Sequence, residues 1–128
     1  MRDHRSNYLI CRCTVAFIWL YHGLVPKLLG PHSDELAMNM AIGLDHRQAT
    51  LLAYTAGVGE IIFGALILLF WRKRWPLALS AAGMTALLCF ALIFQPTLAM
   101  AAFNPVTMNI CVLALSIVAY RLHKSPTT

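Results

Sequence analysis

The chain has 128 residues, 59% of them hydrophobic and 12% charged, with a net charge of +5 and a mean hydropathy of +0.68. Soluble domains carry about 25% charged residues, and a fold of this size buries only roughly two-thirds of its chain surface. A water-soluble globule is therefore excluded, and the surplus apolar surface requires a bilayer. The positive charge does not point to nucleic acid, because the basic residues gather at the ends of hydrophobic runs rather than in a stripe with interleaved aromatics.

A spanning helix needs about 20 mostly apolar residues. The first such segment is expected over 8–29. Its basic start is leader-like, but no small-x-small site follows the apolar core, so it reads as a retained span. Pro26 should kink it or end it early, since proline cannot donate within a helix. Arg12 is expected to snorkel to the interface. The following stretch, SDELAMNMAIG, has Ser33 as a cap, acids in its first turn and Gly43 as a stop. It predicts a short interfacial helix, lying on the membrane or folded over the mouth of the bundle.

The second span is expected over 48–71. The third runs over 76–94, opened by Trp75-Pro76 and closed by Gln95-Pro96. The uncharged connection QPTLAMAAFN is expected to dip into the interface. The fourth span covers 105–122, with Asn104 as cap and Pro105 in the first turn. The tail HKSPTT reads as disordered. The expectation is one all-α integral membrane domain, a four-transmembrane-helix bundle with a short outer helix between its first two spans.

The four cysteines, Cys11, Cys13, Cys89 and Cys111, lie in or beside apolar runs and read as small buried hydrophobes, not a disulfide framework. Trp19, Trp71, Trp75 and Tyr120 read as belt or packing residues. The histidines show no metal-ligand spacing. No nucleophile–base pair, phosphate loop or dinucleotide fingerprint is present, and nothing marks a self-contained enzyme.

Charge sets orientation. With four spans, both termini and the connection between the second and third share one side. That side holds eight of the ten basic residues, Arg2, Arg5, Arg12, Arg72, Lys73, Arg74, Arg121 and Lys124, against Lys27 and Arg47 opposite. The excess predicts cytoplasmic termini.

Glu60 is the one charge in the run 49–71. A mid-bilayer charge costs on the order of 2.5–3.5 kcal/mol on insertion scales, so it should face the protein interior. Ala53, Gly57, Glu60 and Gly64 share one helix face, and the small residues form a notch for a partner helix. By depth, His22 and Asn109 fall near the level of Glu60, with Lys27 a turn further out. A buried polar cluster of Glu60, His22 and Asn109 is expected, with Lys27 at its mouth. Such a cluster would lock helix packing, hold a small polar or quinone-like ligand, or handle protons.

These residues carry a family resemblance. HGLVPKLL and GVGEIIFGALILL resemble the DoxX-like membrane proteins, a four-helix superfamily. Arg12, Gly23, Lys27, Gly57 and Glu60 match its pattern of an early arginine, a glycine and lysine closing helix 1, and G-x-x-E in helix 2. FNPVTMN, with Asn104, Pro105 and Asn109, is similar to a subgroup also appended to epimerase-like domains. The resemblance implies a bacterial inner-membrane protein. It also implies a membrane subunit of a redox or quinone-linked assembly; on the reading of the residues, Glu60 and His22 would then hold or protonate a polar ligand head and Lys27 would steer an anionic group at the outer mouth. The partners would be lipid, a soluble or membrane redox protein, or a second copy of the chain. The other readings are a non-catalytic scaffold, with Glu60 structural, and a small transporter that would have to oligomerise.

Overall fold

A computed structural model of the protein describes residues 2–123. Lys124 and the remainder of the tail, 124–128, lie outside the described residues.

Helix α1 spans Arg2–Gly23 and passes directly into a π-helical turn, Leu24–Leu28. It starts well before the apolar run because its first turns are polar, and hydropathy marks only the part that needs lipid. Around Pro26 the regular α-helix ends at Gly23 and the chain continues as a π turn. The chain widens to i→i−5 bonding, with Leu29 N–H donating to Leu24 O at 2.9 Å, which tolerates a residue that has no N–H.

Helix α2 spans Ser33–Met40. Ser33 is its first residue and not its cap. The cap is His32, whose Nδ1 accepts from Asp34 N–H at 3.3 Å. Gly43 ends the segment at φ +90°, a left-handed conformation that favours glycine. Asn39 is buried and donates to Ala49 O at 3.0 Å, which folds α2 over the end of α3.

Helix α3 spans His46–Leu69. Asp45 and Gln48 form a reciprocal capping box at its start, which places the boundary two residues before the expected one. Helix α4 spans Trp75–Phe94, followed by a 3₁₀ turn, Pro96–Met100, that tucks Leu98 inward. Helix α5 spans Pro105–Leu122, with the Asn104 side chain accepting from Thr107 N–H at 2.9 Å.

Four helical segments are long and apolar enough to cross a membrane: Asp3–Leu28, His46–Leu69, Trp75–Phe94 and Pro105–Leu122. Among the described residues there is no strand. Ile10, Phe17, Leu51, Ile62, Leu69, Leu79 and Ile93 all point outward, so the bundle presents an apolar exterior suited to lipid. Cys13, Cys89 and Cys111 are also on this exterior and only Cys11 is partly covered. The expectation that the cysteines are packed inside the protein is corrected: their apolar surroundings are the lipid-facing surface.

Helix α1 packs along α3 on one side and α5 on the other, and α4 packs along α5. Helices α3 and α4 scarcely meet. The central core is Val15, Ala16 and Trp19 of α1 with Ile67, Met84 and Val112. Trp19 is thus a core residue and not part of an interfacial belt. Towards the end of the bundle remote from the termini, the gap between α3 and α4 opens into a cavity, roofed by α2 and the 3₁₀ turn.

Candidate functional site

The site begins with a close helix crossing. A Cβ added to Gly23 would lie 2.5 Å from Gly57 O, and one added to Gly57 would lie 2.7 Å from Gly23 O. A Cβ at Gly64 would meet Leu20 Cγ at 2.7 Å and Ala16 O at 3.0 Å. Ala53 is also fully buried. The notch residues Ala53, Gly57 and Gly64 therefore lie on the buried side of α3, and the occupant at the two glycines is α1.

The same contact aims a lysine. A Cβ on Gly57 would come within 2.9 Å of Lys27 Cβ, so the bare glycine leaves room for the lysine stem. One turn along α3, Glu60 receives the head group: Lys27 Nζ is 3.0 Å from Oε1 and 3.1 Å from Oε2. The spacing G-x-x-E thus places a gap for the stem and an acceptor for the ammonium on one helix face. Glu35 of α2 completes the cluster, with Oε1 3.1 Å from the same Nζ. The side chains of Lys27, Glu60 and Glu35 are 10%, 12% and 20% exposed, so all three charges are largely withdrawn from water.

The partners differ from those expected by depth. Lys27 is the direct partner of Glu60 and is not at the mouth. Neither His22 nor Asn109 hydrogen-bonds Glu60 among the described residues, although both line the same cavity. Lys27 reaches Glu60 because the π turn brings it towards α3 and because a lysine stem spans a helical turn. Glu35 was not anticipated: its only signal was an acid in the first turn of α2, which reads equally as dipole compensation. A lysine held by two carboxylates is also poorly placed to attract an anion, so steering of an anionic group by Lys27 is not what this geometry favours.

The cavity has a volume of about 560 Å³. Its wall is mainly apolar, from Leu52 and Ala56 of α3, Leu87 and Phe90 of α4, and Met84 and Met108. Polar groups enter it from the Lys27–Glu60–Glu35 cluster, His22, Asn39 and Asn109, with His32, Asp34 and Asn104 also among the lining residues. Asn109 is 8% exposed, and its amide makes no hydrogen bond to any described residue. Apolar walls with a few convergent polar groups are the usual character of a small-molecule pocket.

Two further buried polar groups hold the rest of the bundle. Trp19 Nε1–H donates to Ser80 Oγ at 2.8 Å, Ser80 meets Ser116 Oγ at 2.9 Å, and Ser116 donates to Val112 O at 2.7 Å. Every donor in that chain is used. At the end nearer the termini, Arg12 is 1% exposed and does not snorkel. Its guanidinium donates to Ile67 O at 2.7 Å, Phe70 O at 2.6 Å, Lys73 O at 2.9 Å and Tyr8 Oη at 2.6 Å. The last carbonyls of a helix have no internal partner, and a cation there also meets the negative end of the helix dipole. Arg12 is therefore the C-terminal cap of α3. The Tyr8 hydroxyl in turn donates to Trp71 O and contacts His123 Nδ1 at 3.1 Å.

These features define a class: an α-helical membrane bundle with four candidate spans, a glycine-lined crossing between α1 and α3, and a buried ion cluster beside a pocket. The sequence model of the DoxX-like family matches residues 16–117, and the chain belongs to that family. Gly23, Lys27, Gly57, Glu60, Asn104, Pro105 and Asn109 fall within the matched region, whereas Arg12 precedes it. Comparison with curated proteins and with solved structures finds no match.

Proposed function

We propose that this DoxX-like protein binds a small amphiphilic molecule in the cavity between α3 and α4, as a membrane subunit of a redox or quinone-linked assembly. The observation that carries the binding reading is Asn109, a buried amide with open hydrogen-bonding capacity facing an apolar cavity. Its unpaired side-chain nitrogen and oxygen are accessible from the cavity and not sealed from it, so a ligand head would gain hydrogen bonds there. In this reading the electrons belong to the ligand and to a partner protein, and this chain provides a shaped pocket, hydrogen bonds and fixed charge. The redox setting draws on the family resemblance.

A scaffold is the second reading, favoured by the Gly23–Gly57 contact and by the Lys27–Glu60 pair that ties the π turn to α3. Glu60→Gln separates the two. If folded yield in detergent is kept and saturable binding of decylubiquinone, a short-tailed quinone, is lost, the pocket is a binding site. If the variant loses folded protein and never binds differently from wild type per folded molecule, the scaffold stands.

The proposed location is the bacterial cytoplasmic membrane, with both termini in the cytoplasm. Arg5, Arg12, Arg72, Lys73, Arg74 and Arg121 lie towards the terminal end of the bundle, against Lys27 and Arg47 towards the other, which supports this orientation. The cavity then opens towards the outer face. A reporter fused to the C-terminus should be active only in the cytoplasm, and activity outside the cell would reverse the assignment.

A further inference from the structure

The charge of the cavity wall is opposite to that of the chain. The protein is +5 overall and has five acidic residues, yet three of them, Asp34, Glu35 and Glu60, line this one cavity. Lys27 is the only lysine or arginine among the lining residues, so the wall is formally −2 with histidines neutral. Its ammonium is already bonded by Glu35 and Glu60. His32 Nδ1 accepts the Asp34 N–H at 3.3 Å and lies 3.6 Å from Asp34 Oδ2, with both side chains largely exposed, so the withdrawn acids of the wall are Glu35 and Glu60. A low-dielectric cleft lined by one sign of charge concentrates ions of the other sign.

We infer that the cavity takes a lipophilic organic cation, an apolar-bodied molecule whose positive centre sits beside Glu35 and Glu60. This rests on the reading of the cavity as a binding site and names the chemistry of its ligand. The remaining wall suits that class. Trp19, Tyr21, Phe90 and Phe103 present aromatic surface, whose faces attract cations. Met84 and Met108 adapt to an irregular apolar body. Asn109 offers a free carbonyl oxygen to any N–H the cation carries. An anion of the same shape would meet two carboxylates whose one counter-ion is already engaged.

The test uses two ions of nearly the same size and shape. Wild-type protein in zwitterionic lipid nanodiscs is titrated calorimetrically with tetraphenylphosphonium, tetraphenylborate and decylubiquinone, with empty nanodiscs subtracted. The expected result is saturable, stoichiometric binding of tetraphenylphosphonium and none of tetraphenylborate. Glu35→Gln, which leaves the Lys27–Glu60 pair in place on a partly exposed helix, should weaken phosphonium binding roughly fivefold, the scale of one partly solvated charge contact. Equal or tighter binding of tetraphenylborate, or binding of decylubiquinone alone, overturns the charge preference and leaves the pocket as a binding site. An unchanged phosphonium affinity in Glu35→Gln overturns the assignment of the cationic centre to this cluster. Saturable binding of none of the three probes overturns the binding reading itself, and this inference with it.

Discussion

Gly23 of α1 and Gly57 of α3 cross so closely that each carbonyl oxygen lies where the other residue's Cβ would be, at 2.5 and 2.7 Å. The obstructing atoms are backbone and cannot rotate away. Gly23→Ala and Gly57→Ala should each cost about 1–3 kcal/mol, the usual range for overpacking, and should lower the melting temperature in detergent. Gly59→Ala is the control. An added Cβ there meets nothing within 4 Å, and alanine is the better helix former by roughly 1 kcal/mol, so that variant should melt at or above wild type.

Arg12 bonds the carbonyls of Ile67 in α3, of its cap Phe70 and of Lys73 in the following connection, and one hydroxyl of its own helix. Arg12→Met removes the cap and leaves the Ile67 and Lys73 carbonyls without that donor, while Phe70 O keeps the Lys73 N–H, so a loss of roughly 3 kcal/mol is expected. Arg12→Lys keeps the charge but replaces a planar fork by a point donor, and it should recover less than half of that loss. Thermal melting of the purified variants decides it. Equal stability of wild type and Arg12→Lys would show that charge alone, and not the fork, holds the helix end.

Ser80 stands between Trp19 and Ser116 in the buried chain of hydrogen bonds. Ser80→Ala leaves the Trp19 N–H unpaired in the core, at about 1–3 kcal/mol. Ser116→Ala should cost less, because the Ser80 hydroxyl can turn back to a carbonyl of its own helix. Melting curves of the two variants should therefore rank wild type first, Ser116→Ala second and Ser80→Ala last.

His123 gives the folded protein a pH dependence of known sign. Burial pulls its imidazole below the usual histidine value, the charges of Arg74 and Arg12 push the same way, and a backbone hydrogen bond involving Arg72 opposes them. Tyr8 donates its proton to Trp71 O, so Nδ1 of His123 is the donor towards Tyr8. The unfolded chain takes up a proton at about pH 6.5, before the folded protein does. Stability from this group is complete above that pH and falls as the pH drops towards the lower folded value. The melting temperature should decline on acidification below about pH 6.5, and His123→Asn should flatten that decline.

Some of the site was legible before the fold was known. Glu60 could be marked because a lone carboxylate in an apolar run must face inward, and Gly57 and Gly64 because they share its face. His22 and Asn109 are legible as polar groups near its level and Lys27 as one a turn further out, but their mutual arrangement is not. Depth counted along straight helices put His22 opposite Glu60. A π turn through Pro26 instead swings Lys27 inward, and that geometry depends on a proline's local bonding and on how closely two glycines let the helices approach. By sequence Arg12 reads as an interfacial residue, because nothing near it in the chain shows that the end of α3 lies beside it.

The sequence by itself determined the number of candidate spans, the excess of basic residues at the terminal end and the presence of a buried acid in a small-residue notch. Each follows from local composition, since the transfer of apolar residues out of water and the cost of a charge in hydrocarbon act residue by residue. Only the tertiary structure decided that Glu35 and Glu60 share Lys27, that Arg12 caps α3, and that α3 and α4 part to leave a cavity. Those outcomes join residues up to 61 positions apart in the chain and on different helices. They are set by which helix backbones can touch, and that is a property of packing rather than of any one segment.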